Sequence, residues 1–177
     1  LYDKYGIEYQ KIFQKFLKEV RGKIDYRIVA EGVVAYRKIK EFYLAPYPHA
    51  VQTLIELKKR YKIAIISDAP RIEAWLRLVT MKIDDFFDAV VTAADVRKKK
   101  TYGAPFNAAL KALNVKAEEA LMVGDRISRD IEPAKKLGIK TCYARYGERY
   151  WTKKPLKRGE SKADFEINDI KELLRVL

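Results

Sequence analysis

This sequence predicts an α/β fold: a Rossmann-like three-layer core, in which helices cover both faces of a parallel sheet, preceded by a small helical unit. Two observations carry that prediction. Beyond Pro48, short apolar runs alternate with stretches of helical period, as expected for strands buried on both faces. Before Tyr43, apolar residues recur at the three- and four-residue spacings that make one stripe of an amphipathic helix. A length of 177 residues with 49% apolar content suffices for one core with an appendage.

The elements follow in order. From Tyr2 to Val20, residues Ile7, Ile12, Phe13, Phe16, Leu17 and Val20 make one helical stripe, which Arg21-Gly22 ends. A second helix is predicted from Asp25 to Tyr43, with Asp25 as its cap and Ile28, Val29, Gly32, Val33, Tyr36 and Ile39 on one face. Pro46 and Pro48 then break the chain, so residues 1–45 form the helical unit and 46–177 the α/β core. Within the core, helix His49 to Arg60 precedes strand Lys62 to Ser67, and helix Arg71 to Thr80 precedes strand Ala89 to Thr92. Helix Pro105 to Leu113 precedes strand Ala120 to Val123, and helix Asp130 to Leu137, stopped by Gly138, precedes strand Lys140 to Ala144. After a loop rich in Gly, Arg and Lys come an edge strand, Phe165 to Ile167, and a last helix, Asp169 to Val176.

Bulk properties narrow the function classes. No apolar run approaches the roughly 20 residues of a membrane span and no signal-peptide pattern opens the chain, so a cytoplasmic protein is expected. The single Cys142 lies in an apolar segment and is expected to be a buried structural thiol in a reducing compartment. An excess of 37 Lys+Arg over 24 Asp+Glu, formally +13, attracts anionic ligands. The basic residues are dispersed, with local runs at Arg97 to Lys100 and around Lys153 to Arg158, and without the aromatic-interleaved basic strand of RNA-binding sheets. A nucleic-acid partner is therefore not expected. Abundant Lys and Glu with few Gln resemble a heat-adapted composition. Trp75 and the tyrosines are expected in the core or at a subunit contact, which leaves a homo-oligomer open.

In parallel sheets of this kind, ligands sit at the carboxyl ends of the strands. Ser67 ends one strand, and its hydroxyl with the amide of Asp68 is suited to donate to phosphoryl oxygens, although serine or aspartate there is also ordinary turn chemistry. Gly124-Asp125 follows another strand and Asp130 follows within the same loop, two hard carboxylates suited to Mg²⁺. Asp130 is equally suited to cap the next helix. Lys98, Lys99 and Lys100 form a charge run of the kind that usually faces solvent. His49, the sole histidine, opens a helix after Pro48 and reads as a local turn or cap residue rather than a catalytic base.

Together, Ile65-Ile66-Ser67-Asp68, the stretch Thr92 to Phe106, and Met122-Val123-Gly124-Asp125 through Asp130 resemble the haloacid dehalogenase superfamily of phosphatases and related hydrolases. The likeness is greatest to archaeal members grouped with glyceraldehyde 3-phosphate phosphatase. Their Lys-Pro-x-Pro-x-x-Phe pattern falls on Lys100 to Phe106, and it is this register that selects Lys100 from the charge run. The resemblance implies that Ser67 and Asp68 bind the phosphoryl group, Lys100 neutralises its charge and that of the nucleophile, Asp125 ligates Mg²⁺, and Asp130 steadies the ion's waters or Lys100. It implies a Mg²⁺-dependent phosphatase acting on a small phosphorylated metabolite through an aspartyl-phosphate, with residues 1–45 as part of a helical cap. A 2-haloacid dehalogenase and a non-catalytic phosphate-binding relative are the alternatives.

Two departures matter. Thr101 and Gly103 stand where the pattern has proline, so the turn that aims Lys100 is expected to differ. The first motif, an Asp-x-Asp on a strand lying in the family between those ending at Ser67 and Asp125, does not occur in the 177 residues. Its absence is expected to leave two inner strand edges unpaired. The sequence is accordingly expected to be an N-terminally shortened, inactive form of a longer protein; the other readings are a complete non-catalytic relative or a central strand supplied by another polypeptide.

Overall fold

Proline punctuation and helical period divide the chain at one place, giving units Leu1–Ala45 and Pro46–Leu177. The computed structural model describes residues 2–5, 9, 11–96, 103–148 and 156–177. In the first unit, helices α1 (Tyr2–Tyr5) and α2 (Ile12–Arg21) replace the single helix expected from Tyr2 to Val20, and Tyr9 between them is not helical. Gly6 lies in that interval, and a mid-helix glycine costs about 0.5–1 kcal/mol relative to alanine. Helix α2 closes on the left-handed Gly22, whose N–H donates to the Lys18 carbonyl. Helix α3 (Tyr26–Tyr43) begins at Asp25, whose Oδ1 accepts the backbone N–H of Arg27 at 2.9 Å and of Ile28 at 3.4 Å, the expected cap. Leu17 and Val29 are buried in this unit.

The second unit runs α4 (Ala50–Lys58), β1 (Ala64–Ser67), α5 (Arg71–Thr80), β2 (Ala89–Thr92), α6 (Ala93–Val96), α7 (Ala104–Leu113), β3 (Leu121–Gly124), α8 (Glu132–Lys136), β4 (Lys140–Ala144), α9 (Arg145–Glu148), β5 (Phe165–Ile167) and α10 (Leu173–Val176). Every strand pair is parallel, with Ser67 opposite Thr92, Gly124 opposite Tyr143, and Ala144 opposite Ile167. The strands form two sheets, β1-β2 and β3-β4-β5, and no ladder joins β1 to β3 among the described residues. This is the pair of unpaired edges expected from the missing motif strand. Exposure follows: β4, flanked on both sides, is buried from Thr141 to Ala144, whereas all residues of β1 and β3 are only half-buried.

The two sheets share helices rather than hydrogen bonds. Strand side chains alternate between faces, and Ile66 of β1 and Met122 of β3 both pack against the cluster formed by Phe106 of α7, Ala134 of α8 and Ile139. On the opposite face, α4 divides its apolar stripe: Leu54 joins Leu78, Ile83, Ile65 and Val90, while Leu57 joins Val123, Cys142, Ala144, Ile167 and Leu173. This gives the three-layer α/β architecture, a sheet layer between α4 and α5 on one side and α7 and α8 on the other. Cys142 is buried as expected, and burial pushes its thiol up to about 11, leaving it neutral. Trp75 is 40% exposed, so of the two places expected for it, the core or a subunit contact, it is not in the core. Among the described residues no helix is long and apolar enough to cross a membrane.

Strands of three to five residues make short ladders, and aspartates brace their ends. Asp88 accepts the Ile63 N–H at 2.8 Å and the Lys58 ammonium at 2.6 Å. Asp95 accepts both the N–H and the hydroxyl of Thr92, at 2.7 and 2.6 Å, and Asp164 does the same for Thr141 at 2.8 and 2.7 Å. These bonds hold all three carboxyls below their ordinary value, chiefly through Lys58 for Asp88, the Thr92 hydroxyl for Asp95 and the Thr141 hydroxyl for Asp164.

Two outcomes are expected. Phe106, 1% exposed in the cluster against which both sheets pack, should cost about 3–5 kcal/mol when replaced by alanine, read as a lower urea midpoint at unchanged slope. A depressed carboxyl stabilises fully above its unfolded value of about 3.9 and loses that contribution as pH falls through the folded value. Asp164→Asn should therefore lower stability at neutral pH and reduce the loss on acidification below about pH 4, measured by urea midpoints across the pH range.

Candidate active site

Parallel pairing puts the last residue of each motif strand at the carboxyl edge of its sheet. Ser67 ends β1 beside Thr92, and its Oγ accepts the Ala69 N–H at 3.1 Å, which fixes the turn and leaves the hydroxyl hydrogen for donation. The turn reading of this serine is thus what the hydrogen bond shows. The carboxylate of the next residue, Asp68, reaches across to the Arg129 guanidinium at 3.6 Å. Arg129 belongs to the loop after β3, so this ion pair joins the mouths of the two sheets.

That loop differs from the simple helix start predicted at Asp130. Residues Ile127–Ile131 make a π-helical turn, and α8 begins only at Glu132. The wider turn folds Asp130 back over the strand end: its N–H donates to the Arg126 carbonyl at 2.7 Å, and its Oδ2 accepts the Arg126 N–H at 3.1 Å. Asp130 is 3% exposed and is not the cap of α8, where Ile131 stands in that position. Gly124 makes this fold-back possible. A Cβ on Gly124 would lie 2.4 Å from the Asp130 Cβ and 2.6 Å from its Oδ2, where no side chain fits.

Arg126 completes the cluster. Burial first and repulsion from Arg129 second draw its guanidinium below the ordinary arginine range, while Asp125, Asp130 and Asp68 pull the other way. Arg126 thus feels the charge of three carboxylates and one other guanidinium at the mouth. Asp125 also adds to the upward shift of Tyr143 and Tyr146, each pushed to about 12 mainly by burial, so the carboxylate borders neutral aromatic side chains. Such a wall strengthens any charge interaction that Asp125 makes. Among the described residues no group of three or more His, Cys, Asp or Glu side chains gathers as a metal site. Two carboxylates in one loop nevertheless match the donors of Mg²⁺, a hard cation that takes one or two carboxylates and fills its remaining positions with water and substrate oxygen.

Lys100 lies outside the described residues. Thr101 and Tyr102 lie outside them as well, and the first described residue after them, Gly103, has φ +76°, a conformation a proline ring at about −65° cannot adopt. His49 stands at the N-cap position of α4, left-handed at φ 64°, but its side chain makes no cap bond and instead places Nδ1 2.8 Å from the carboxylate of the distant Asp169. Sequence reasoning passed over Arg126, Arg129 and Asp95. Arg126 and Arg129 stood between the two motif aspartates, and the Thr-x-x-Asp spacing of Thr92 and Asp95 is a known local hydrogen-bond pattern, so signals existed. The Arg71–Asp95 ion pair ties the segment after Ser67 to the segment after β2.

The chain is similar to known proteins along most of its length. Residues 1–144 match the family described as haloacid dehalogenase-like hydrolase. The glyceraldehyde 3-phosphate phosphatase of Methanocaldococcus jannaschii is 36% identical over 173 residues, 97% of this chain and 74% of that protein. Among solved structures, a HAD phosphatase from Thermococcus onnurineus superposes with TM-score 0.67 at 27% identity, covering 92% of this chain and 69% of that one. The magnesium-bound HAD-hydrolase YfnB of Bacillus subtilis superposes with TM-score 0.72 at 21% identity, covering 94% and 69%, and supports the fold.

Gly124→Ala should drive the Asp130 side chain off the strand end, because the clash involves Cβ and Cγ rather than a flexible tip. A loss of about 1–3 kcal/mol is expected in thermal or urea unfolding, with Asp130→Ala relieving part of it in the double variant.

Proposed function

This chain belongs to the haloacid dehalogenase-like hydrolase family, and from that premise we propose that the protein is a Mg²⁺-dependent phosphatase acting on a small phosphorylated metabolite. The observation that carries the reading is the charge cluster at the two strand mouths, where Asp68, Asp125 and Asp130 face Arg126 and Arg129 and the Asp68–Arg129 pair spans the sheets. Phosphoryl transfer needs positioning and charge neutralisation around an in-line displacement more than it needs covalent chemistry from side chains. The cluster offers the chemistry for both.

In this proposal Ser67 donates its hydroxyl hydrogen to a phosphoryl oxygen, and the backbone N–H of Asp68 contributes a second donor. Asp125 is the Mg²⁺ ligand, and Asp130, held by the Arg126 N–H, keeps the loop in register and orients water around that carboxylate. A Mg²⁺ held there would offset the negative charge of the phosphate group. Lys100 is assigned to the same anion by resemblance. The nucleophile of an aspartyl-phosphate mechanism has no counterpart in the 177 residues, and the open edges of β1 and β3 are where a strand carrying it fits. Residues 1–45 are proposed as part of a cap that selects substrate, in a cytoplasmic enzyme. The named activity of the archaeal relative makes glyceraldehyde 3-phosphate the first metabolite to assay.

The protein from its complete reading frame is expected to hydrolyse a generic aryl phosphate with Mg²⁺ and to lose turnover in EDTA. Asp125→Asn should lower kcat by more than about 100-fold, since even residues behind a metal ligand can account for 10–100-fold. Turnover of 2-haloacids without metal would replace the reading with dehalogenation. Vanadate binding without turnover would replace it with a non-catalytic phosphate-binding protein.

A further inference from the structure

We infer that Gly147 is a positioning residue for Asp125: the space left by its missing side chain is the space in which the Asp125 carboxylate sits. A Cβ on Gly147 would lie 2.5 Å from the Asp125 Cβ, 2.9 Å from its Cγ and 2.8 Å from its Oδ2. Non-bonded carbons settle at about 3.5–4.0 Å, so the contact with Cβ is shorter by roughly an ångström or more. The requirement is for space alone. Gly147 is not among the residues of positive φ, so its backbone would accept an L side chain.

Topology delivers this contact. Gly124 pairs with Tyr143, and α9 starts two residues after Tyr143, which turns Gly147 toward the residue that follows Gly124. Helix α9 is anchored on several sides and is poorly placed to retreat. Arg145 pairs with Glu166 at 3.0 Å, Glu148 is buried and accepts the Leu156 N–H at 2.5 Å, and Tyr146 packs edge-on against Tyr47 with centroids 5.1 Å apart. A methyl group at 147 is therefore accommodated by movement of Asp125. The arrangement repeats the one inside the loop itself, where Gly124 makes room for Asp130. Each of the two carboxylates at this strand end rests on a glycine, one local in sequence and one supplied by the neighbouring strand's exit helix.

The functional consequence rests on the reading of Asp125 as a metal-binding carboxylate; the positioning itself does not. The test uses Gly147→Ala in the 177-residue chain, with side-chain carboxyl ¹³C signals followed by NMR and Mn²⁺ as the probe. The expected result is that the Asp125 signal moves while those of Asp88 and Asp164 stay, and that broadening of the Asp125 signal requires at least about tenfold more Mn²⁺. An Asp125 signal that keeps its position overturns the inference. If Mn²⁺ broadens Asp125 in neither protein, the metal reading falls, and the inference is still decided by the signal's position. Should Gly147→Ala unfold, the same substitution in an Asp125→Gly background decides. There its effect on the melting temperature should shrink by at least half, and an equal effect in both backgrounds overturns the inference.

Discussion

The α/β unit depends on two helices that clamp two sheets. No ladder connects β1 to β3 among the described residues, so the sheets share a layer because Ile66 and Met122 pack against one cluster of Phe106, Ala134 and Ile139 while α4 places Leu54 on one sheet and Leu57 on the other. Burial of apolar surface is non-directional, and it can bridge a gap that hydrogen bonds, with their fixed geometry, cannot. The half-buried state of every residue in β1 and β3 shows what the clamp leaves uncovered. Those two strands also end in Ser67 and Gly124, so the open edges and the candidate site lie along the same pair of strands.

Charge is gathered where burial is incomplete. The mouth holds Asp68, Asp125 and Asp130 near Arg126 and Arg129, and Arg126, partly withdrawn from water, feels the charge of the other four. Elsewhere in the unit carboxylates brace structure: Asp88, Asp95 and Asp164 each take a backbone N–H at a strand end together with a second donor. The contrast separates two uses of one residue type. Bracing aspartates take a backbone N–H together with a hydroxyl or ammonium donor, with Arg71 added at Asp95, whereas the mouth carboxylates lie beside Arg126 and Arg129.

Family membership and the site fit together through glycine as much as through charge. Gly124 and Gly147 are required by what stands over them, Asp130 and Asp125, while Gly103 is required by its own φ. That last requirement explains a departure from the resembled pattern, since a chain that turns with positive φ at position 103 has no place for proline there. The π-helical turn at Ile127–Ile131 is likewise part of the site, because its extra width is what folds Asp130 back to the strand end.

Periodicity and punctuation were enough to locate the strands ending at Ser67 and Thr92, the helix Arg71–Thr80, the strand Lys140–Ala144, the Asp25 cap and the break at Pro46, since each is written in residues adjacent along the chain. The third strand was expected one residue early, ending at Val123 where β3 runs to Gly124. The Arg129–Asp68 ion pair, the seat of Asp125 against Gly147, the exposure of Trp75 and the division of the layer into two sheets were decided only by tertiary structure. The reason is physical: each depends on a distance between side chains brought together by packing, and spacing along the chain carries no measure of that distance.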